Sequence, residues 1–524
     1  MPASSSNGAS SSTTPRQRPL NGEEYLASLR DGREVWVHNE RVADPTTHPA
    51  LRNAARMVAR LYDAMHDPKR RELLTTKTSA GADGYTHRFF AASHSVGDLV
   101  KARDAIAEWA RTTYGWMGQS PEEGASLFVA LGNVAPSFGH CREQAEAWSK
   151  RVSEEALYVH HAIRDAASVL ADPRETPIHV ERETDSGLVI SGATVVPAAA
   201  AISFGGFFLK DGVMPARGEE YPLAFVAPMA MKGVRLHYRP NSTVAARLYG
   251  NPFDYPLTSR LEENDALLIF DQALIPFENL ICYGEFGSDK LAGLRAQFAA
   301  RASFQESTRL SIKLELIAGL LLRSVDAAGT GGAPEVQAAI GEILSYRNLF
   351  WGMSEAQARV PVVLADGTYL PNPDHGLSYR IFSSLAYPRI RDVIERTVGS
   401  GHVFLSATAS DFMNPETRAY LDRFVRGENG YSALDRVKLT KLLWDALGTD
   451  IGARSKVESV GRTTDDMRAD VLTAASGNGL AAACKGFAGR CLDEYDLEGW
   501  RVKDLHTNVE LPPVVSSRRR TTNW

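Results

Sequence analysis

Residues 265–284 read DALLIFDQALIPFENLICYG: short apolar runs broken by Asp, Asn, Pro and Gly, too brief for helices and bounded by turn formers. Two neighbouring stretches have the same texture, GLVISGATVVPAAAAI over 187–202 and YPLAFVAPMAMKGVRLHYRP over 221–240. The pattern predicts seven or eight short strands between about Thr176 and Glu285, with no helix-length segment among them. Strands that recur this closely favour an antiparallel barrel or sandwich over a βαβ sheet.

On either side the period changes to that of a helix. ALRNAARMVARLYDAMHD (50–67) brings Leu51, Ala54, Met57, Val58 and Leu61 to one face. KARDAIAEWARTTYGW (101–116) does so with Ala102, Ile106, Trp109 and Thr113, and a third helix is expected over 145–170, stopped by DPRETP. Past Gly287, RASFQESTRLSIKLELIAGLLLRSVDAAG (301–329) carries a broad apolar stripe through Leu310, Leu314, Ile317 and Leu321. VQAAIGEILSYRNLFWGMSEAQARV (336–360) and LDRVKLTKLLWDALGTDIGARSKV (434–457) follow, and long helices in series predict a bundle. The expected organisation is mainly α with a central β domain: a disordered lead-in over 1–20, a helical domain over 21–172, a β domain over 173–287, a helical bundle over 288–480 and a loop-like arm over 481–524.

Composition narrows the function. The chain has 524 residues with 58 basic and 63 acidic side chains, a net charge of −5, and no basic cluster beyond Arg518-Arg519-Arg520. A nucleic-acid partner is not expected. The first twenty residues lack the apolar segment of a secretory signal, and TVVPAAAAISFGGFFL (194–209) is interrupted and short of the roughly 20 residues of a membrane span, so a cytoplasmic protein is expected. Cys141, Cys282, Cys484 and Cys491 have no metal or iron–sulfur spacing and read as reduced thiols. No dinucleotide fingerprint, P-loop, nucleophile elbow or zinc-protease motif occurs. Reducing equivalents for any redox chemistry therefore have to come from elsewhere.

Three stretches carry a family resemblance: residues 21–68 (NGEEYLASLRDGREVWVHNERVADPTTHPALRNAARMVARLYDAMHDP), 251–285 (NPFDYPLTSRLEENDALLIFDQALIPFENLICYGE) and 435–454 (DRVKLTKLLWDALGTDIGAR). Together they resemble the 4-hydroxyphenylacetate 3-monooxygenase family, the oxygenase components of two-component flavin monooxygenases. The resemblance implies an acyl-CoA-dehydrogenase-like fold, with a helical domain, a β domain and a four-helix bundle, assembled as a homotetramer. It also implies FAD, used as FADH2 from a separate NAD(P)H-dependent flavin reductase, with O2 as co-substrate. Oxygen adds at the flavin C4a carbon, and the distal atom of the hydroperoxide passes to a phenolic or heteroaromatic substrate, free or carrier-tethered, in a biosynthetic tailoring step. N-oxygenation, epoxidation and a non-catalytic paralogue are the alternatives; the dehydratase branch needs a cysteine spacing that is absent.

The resemblance also nominates residues. The stretch YGWMGQSPEEGASLFVALG (114–132) matches a family segment that reads Arg-Ser-Pro-Asp-Tyr, so Gln119 and Glu123 stand where an arginine and a tyrosine hold substrate. By itself the stretch reads as a capping box, Ser120 at N-cap, Pro121 at N1 and Glu123 reaching back from N3, with Glu122 a further charge at the helix end. Glu123 has a second reading, as a base or the partner of a cation. His160 aligns with the family histidine that contacts substrate hydroxyl and flavin, with His161 one residue away. For the cofactor the resemblance nominates His160, His161, Ala198, Gly448, Thr449 and Gly452, whereas Ala166 stands where a flavin-contacting glutamine is common. Arg111 reads as an exposed helix arginine, and Tyr114 and Trp116 as stacking or core aromatics.

Overall fold

The computed structural model describes residues 18–79, 83–162, 177–210, 213–214, 219–220, 223–238, 250–261, 264–284, 288–399, 407–453, 464–497 and 499–502, with Val244, Ala246 and Leu248 singly. Most of the lead-in, Ala166 and the Arg518–Arg520 tail lie outside the described residues. The chain forms two compact units, residues 1–461 and 462–524.

The first unit opens with α1 (Gly22–Ser28), started by an Asn21–Glu24 capping box. Five more helices follow: α2 (Arg52–Ala64), α3 (Pro68–Leu74), α4 (Val96–Thr112), α5 (Pro121–Val134) and α6 (Arg142–Glu155). The apolar face anticipated for α2 is the buried one, from Ala54 and Met57 to Leu61 and Tyr62. The helix expected over 145–170 ends early. Ala156 turns left-handed (φ 48, ψ 46), and Val159–Ala162 becomes strand β5. The apolar residues 157–159 satisfy either period, and pairing with a buried sheet edge decides between them.

Short strands β1 (Glu34–Val37), β2 (Glu40–Arg41), β3 (Thr75–Lys77) and β4 (Tyr85–His87) lie among these helices. The β region supplies β6 (His179–Thr184), β7 (Gly187–Pro197), β8 (Gly205–Lys210), β9 (Val213–Met214), β10 (Glu219–Glu220), β11 (Leu223–Pro228), β12 (Val234–Tyr238), β13 (Asp265–Pro276) and β14 (Leu280–Tyr283). They make a six-stranded sheet, β2-β1-β12-β13-β7-β6, and a four-stranded sheet, β14-β11-β8-β5. The expectation of a purely antiparallel β domain beginning near 173 is corrected here. β1 pairs parallel with β12 and β5 parallel with β8, so strands from the N-terminal region complete both sheets. Strand β13 alternates until a bulge at Asp271–Gln272, where the pairing register shifts and Gln272 adopts φ 50. The inward set changes there from Ala266, Leu268 and Phe270 to Ala273 and Ile275.

Helix α7 (Ser288–Ala327) has 40 residues, so it runs about 60 Å. It packs against α8 (Pro334–Arg359), α9 (Pro373–Val398) and α12 (Ala433–Leu447), and also against α4 and α5. Strands β15 (Val362–Val363) and β16 (Tyr369–Leu370) pair between α8 and α9, and α10 (Ala409–Met413), α11 (Pro415–Phe424) and the short α13 (Asp450–Ala453) complete the helices of this unit among the described residues. In the second unit, α14 (Thr464–Gly477) packs on α15 (Leu480–Leu492), and β17 (Tyr495–Asp496) pairs with β18 (Gly499–Trp500). The loop-like arm expected from 481 onward is therefore a helix over its first dozen residues.

One side chain ties the loop 251–261 to the C-terminal helices. Asp445 on α12 is fully buried and accepts from the Leu257 and Thr258 amides at 2.7 and 2.9 Å and from the Thr258 hydroxyl. Nearby, Lys441 meets the buried carboxylate of Asp254 at 3.3 Å. Asp445→Ala leaves two buried amides without an acceptor. Its unfolding free energy in urea is expected to fall by roughly 3 kcal/mol.

Candidate active site

Past α4 the backbone turns sharply, with Tyr114, Gly115 and Met117 at φ 57, 86 and 58. Two of these are non-glycine residues in the left-handed region, a costly arrangement that persists only where surroundings impose it. At Gly115 a Cβ would sit 2.5 Å from the Lys313 main chain, so the loop lies directly on α7. Side chains from other elements hold its carbonyls. Arg309 on α7 donates to Trp116 O and, at 2.7 Å, to Thr113 Oγ1. Gln305 donates to Gly118 O at 3.2 Å, and the Tyr158 hydroxyl donates to Gln119 O at 2.7 Å. Lys313 places its ammonium 4.4 Å from the Trp116 ring.

The glutamates do not form the expected capping box. Ser120 is the N-cap residue and Pro121 opens α5, but the Ser120 hydroxyl accepts no cap bond and its amide already donates to Met117 O. Glu122, expected as a cap, is fully buried. Its Oε1 lies 2.6 Å from Arg309 Nη1 and accepts from Gln305 at 3.2 Å. Glu123, also buried, has Oε2 3.3 Å from Nδ1 of His161. Position 122 therefore serves a buried ion pair, and position 123 faces an imidazole.

The two histidines sit on β5, and alternation sends them to opposite faces. His160 turns into the sheet, opposite Gly206 of β8. A Cβ at Gly206 would stand 2.5 Å from His160 Nε2, so the glycine makes room for the ring. The ring meets Phe208 edge-on, and Nδ1 lies 3.0 Å from Ser203 Oγ. Ser203 directs its own proton to the carbonyl of Ala200 or Gly205, so Nδ1–H of His160 donates and Nε2 keeps its lone pair, buried and without a partner among the described residues. Burial, helped by the neighbouring His161, pushes His160 down to about 3. His161, on the other face, retains 18% exposure of its side chain and meets Phe298 of α7 edge-on at 4.8 Å. The structure thus brings Glu123 to His161 rather than to His160. Gln119 is half-buried at the start of the same turn.

The residues nominated for the cofactor fit it unevenly. Thr449 spends its hydroxyl on Asp445, donating to the main-chain oxygen at 2.8 Å with Oδ1 at 3.0 Å. A Cβ at Gly448 would meet the Trp444 ring at 2.5 Å, and one at Gly452 the Ala446 backbone at 2.4 Å. The oxygens of Ile451 and Gly452 accept from Trp116 Nε1 and the Tyr387 hydroxyl. That turn is closed on itself, and its small residues serve internal packing. Ala198 opens a 3-10 turn between β7 and β8, whose carbonyls are held by Arg33 and Tyr25. Among the described residues, the buried side-chain nitrogens of this set without a hydrogen bond are His160 Nε2 and His161 Nδ1. Arg111 is exposed and meets Glu315 at 3.4 Å, whereas Trp116 is core.

Sequence patterning missed the other half of this site. Arg301, Gln305, Arg309 and Lys313 are all buried on α7, within a helix selected for its apolar stripe. Arg301, pushed down to about 9 by burial, donates to Phe89 O at 2.6 Å. The signal was the polar composition of RASFQESTRLSIK inside an otherwise core-forming helix.

Residues 21–282 match the family model for the 4-hydroxyphenylacetate 3-hydroxylase N-terminal region, and residues 293–489 match that for the C-terminal region. The chain belongs to the 4-hydroxyphenylacetate 3-hydroxylase family. Among relatives, it is 44% identical over 94% of both chains to the (3S)-3-amino-3-(3-chloro-4-hydroxyphenyl)propanoyl-[peptidyl-carrier protein SgcC2] monooxygenase of Streptomyces globisporus. It is 43% identical to the oxygenase component of 4-nitrophenol 2-monooxygenase from a Rhodococcus species, over 94% of this chain and 96% of that one. Among solved structures, the oxygenase component of 4-hydroxyphenylacetate 3-monooxygenase complexed with FAD and 4-hydroxyphenylacetate superposes with a TM-score of 0.80 at 26% identity, over 90% of this chain and 99% of that one.

Within this hydroxylase fold the Glu122–Arg309 pair yields a stability test. Glu122→Ala strands a buried guanidinium and is expected to cost about 3–5 kcal/mol in urea unfolding, whereas Glu122→Leu combined with Arg309→Met recovers most of the loss. A pH test follows from the buried histidines. Burial lowers His87 to about 4 and His160 to about 3, whereas the unfolded chain binds those protons near 6.5. Stability is complete above about pH 6.5 and falls as pH drops towards the folded values, by up to about 1.4 kcal/mol per unit for each histidine. Urea titrations between pH 7 and 5 are expected to show a shallower slope in His160→Gln than in the wild type.

Proposed function

We propose that the chain is the oxygenase component of a two-component, FAD-dependent monooxygenase that hydroxylates a phenol, with reduced FAD delivered by a separate flavin reductase and O2 as co-substrate. Near-full-length identity of 44% to a carrier-protein-substrate monooxygenase carries this reading. Bound reduced FAD would supply the electrons that activate O2, from which the transferred oxygen atom comes. His160 Nε2 and the backbone around Ala198 are the residues we assign to hold it, with no phosphate role for the Gly448–Gly452 turn.

The protein's own contribution is positioning and dryness. Glu122, Glu123 and His160 are all buried, and exclusion of water protects a reactive reduced cofactor from unproductive oxidation. The loop that presents Gln119 is fixed at three carbonyls, so the first turn of α5 is preorganised before substrate arrives. His161 we assign to the substrate hydroxyl. We also infer a homotetramer, built on the helices after residue 288, and a tailoring role in biosynthesis.

Local charge sets the substrate class. Gln119 cannot form the bidentate pair with a carboxylate that an arginine makes, and Glu123 adds negative charge one helical turn away. A neutral or amine-bearing phenol, free or carrier-tethered, is favoured over an anionic one. With photoreduced FAD and O2, 4-hydroxyphenylacetamide is expected to give catechol product with at least about tenfold higher kcat/KM than 4-hydroxyphenylacetate, a difference of about 1.4 kcal/mol in the transition state. Product analysis by mass spectrometry checks this. Peroxide without hydroxylated product from any phenol rejects the reading.

A further inference from the structure

We propose that Glu123 is the counter-ion of His161, and that the pair works as a carboxylate–imidazole base which takes the proton of the substrate's phenolic hydroxyl. The proposal rests on the reading of the chain as a phenol hydroxylase and adds a role for Glu123, at a position where the family commonly carries tyrosine.

The geometry has three parts. Glu123 Oε2 lies 3.3 Å from Nδ1 of His161, close enough for an ion pair but without the alignment of a hydrogen bond. Contacts of this kind in a substrate-free site commonly tighten when the substrate arrives. Nδ1 is the buried edge of the ring, and Nε2 makes no hydrogen bond to any described residue while the ring stays partly open. The carboxylate and the open edge therefore occupy opposite sides of the imidazole, as a base and its orienting group must.

Backbone packing fixes the pair. A Cβ at Gly124 would stand 2.0 Å from Val159 O, so the first turn of α5 lies against the main chain of β5 at this point. Glu123 and His161 flank that contact. From α7 the neighbour is the Phe298 ring, which limits the imidazole's rotation and brings no charge. Among the described residues, the titratable groups around His161 are Glu123 on α5 and His160 on its own strand, and burial keeps His160 neutral at pH 7. Glu123 thus supplies, among the described residues, the negative charge that faces the ring.

The proton step balances simply. The phenolic O–H bond breaks and an Nε2–H bond forms on His161. The bonding pair stays on oxygen as phenolate, and the new imidazolium is compensated by the Glu123 carboxylate. Total charge is unchanged, and the phenolate pushes electron density to its ortho carbon, the position that accepts oxygen. A glutamine at 123 keeps size and a hydrogen-bond acceptor but removes the compensating charge.

The test uses 4-nitrophenol, whose phenolate absorbs visible light, bound anaerobically to the full chain with reduced FAD at fixed pH. The wild type is expected to hold a larger phenolate fraction than free solution at that pH. Glu123→Gln should lower the bound phenolate-to-phenol ratio at least about tenfold while changing Kd less than threefold, and His161→Asn should lower the ratio at least as far. Glu123→Asp should restore part of the ratio, which a merely structural role does not predict. A ratio in Glu123→Gln equal to that of the wild type overturns the proposal, as does a wild-type spectrum identical to that of free nitrophenol. So does loss of binding in Glu123→Gln with an unchanged Tm, which makes Glu123 a binding contact. The hydroxylase reading fails separately, by absence of hydroxylated product.

Discussion

A guanidinium buried among carbonyls organises this molecule. Arg309 is 2% exposed, and its bonds to Glu122, Thr113 and Trp116 join the long helix α7 to the turn between α4 and α5. A buried pair contributes little net stability against a well-packed apolar alternative, yet losing one partner is severe. Its value is therefore geometric. It fixes a strained loop against one side of one helix and leaves no freedom at the residues that follow. Gln119, Glu122 and Glu123 all inherit their positions from it.

From that anchor the site is built at the meeting of three elements. Helix α5 offers Glu123, strand β5 offers His161, and α7 offers Phe298. Helix α5 rests on β5 through Gly124, and β5 in turn pairs with β8, whose glycines admit His160. A methyl added at Gly124 would push on the β5 backbone, and one added at Gly206 would strike the His160 ring directly. Buried surroundings then set the chemistry: the inward histidine stays neutral, and the outward one meets a carboxylate.

The second clamp, at Asp445 on α12, follows the same logic. Its carboxylate takes two amides and a hydroxyl of the loop 251–261, against the desolvation that raises its pKa. It also receives Thr449, so the small-residue turn after α12 belongs to this network. Gly448 and Gly452 there have Trp444 and Ala446 in the space a side chain would need.

The sequence by itself determined the order helix, sheet, helix, because period and turn residues are local signals that need no knowledge of the fold. It also determined the family, through three long stretches, and it nominated residues 119–123 and 160–161 as a candidate site. Which histidine faces Glu123 was decided only by tertiary structure. A helix over 145–170 and a strand at 159–162 fit the same apolar residues, and parallel pairing with β8 chose the strand and its alternation. The same holds for Glu122. Its capping motif was locally complete, but a cation 187 residues away offered a stronger partner in a dry interior. Long-range partners such as Arg309 leave no periodic trace, since a buried charge is legible only when its counter-charge is in place.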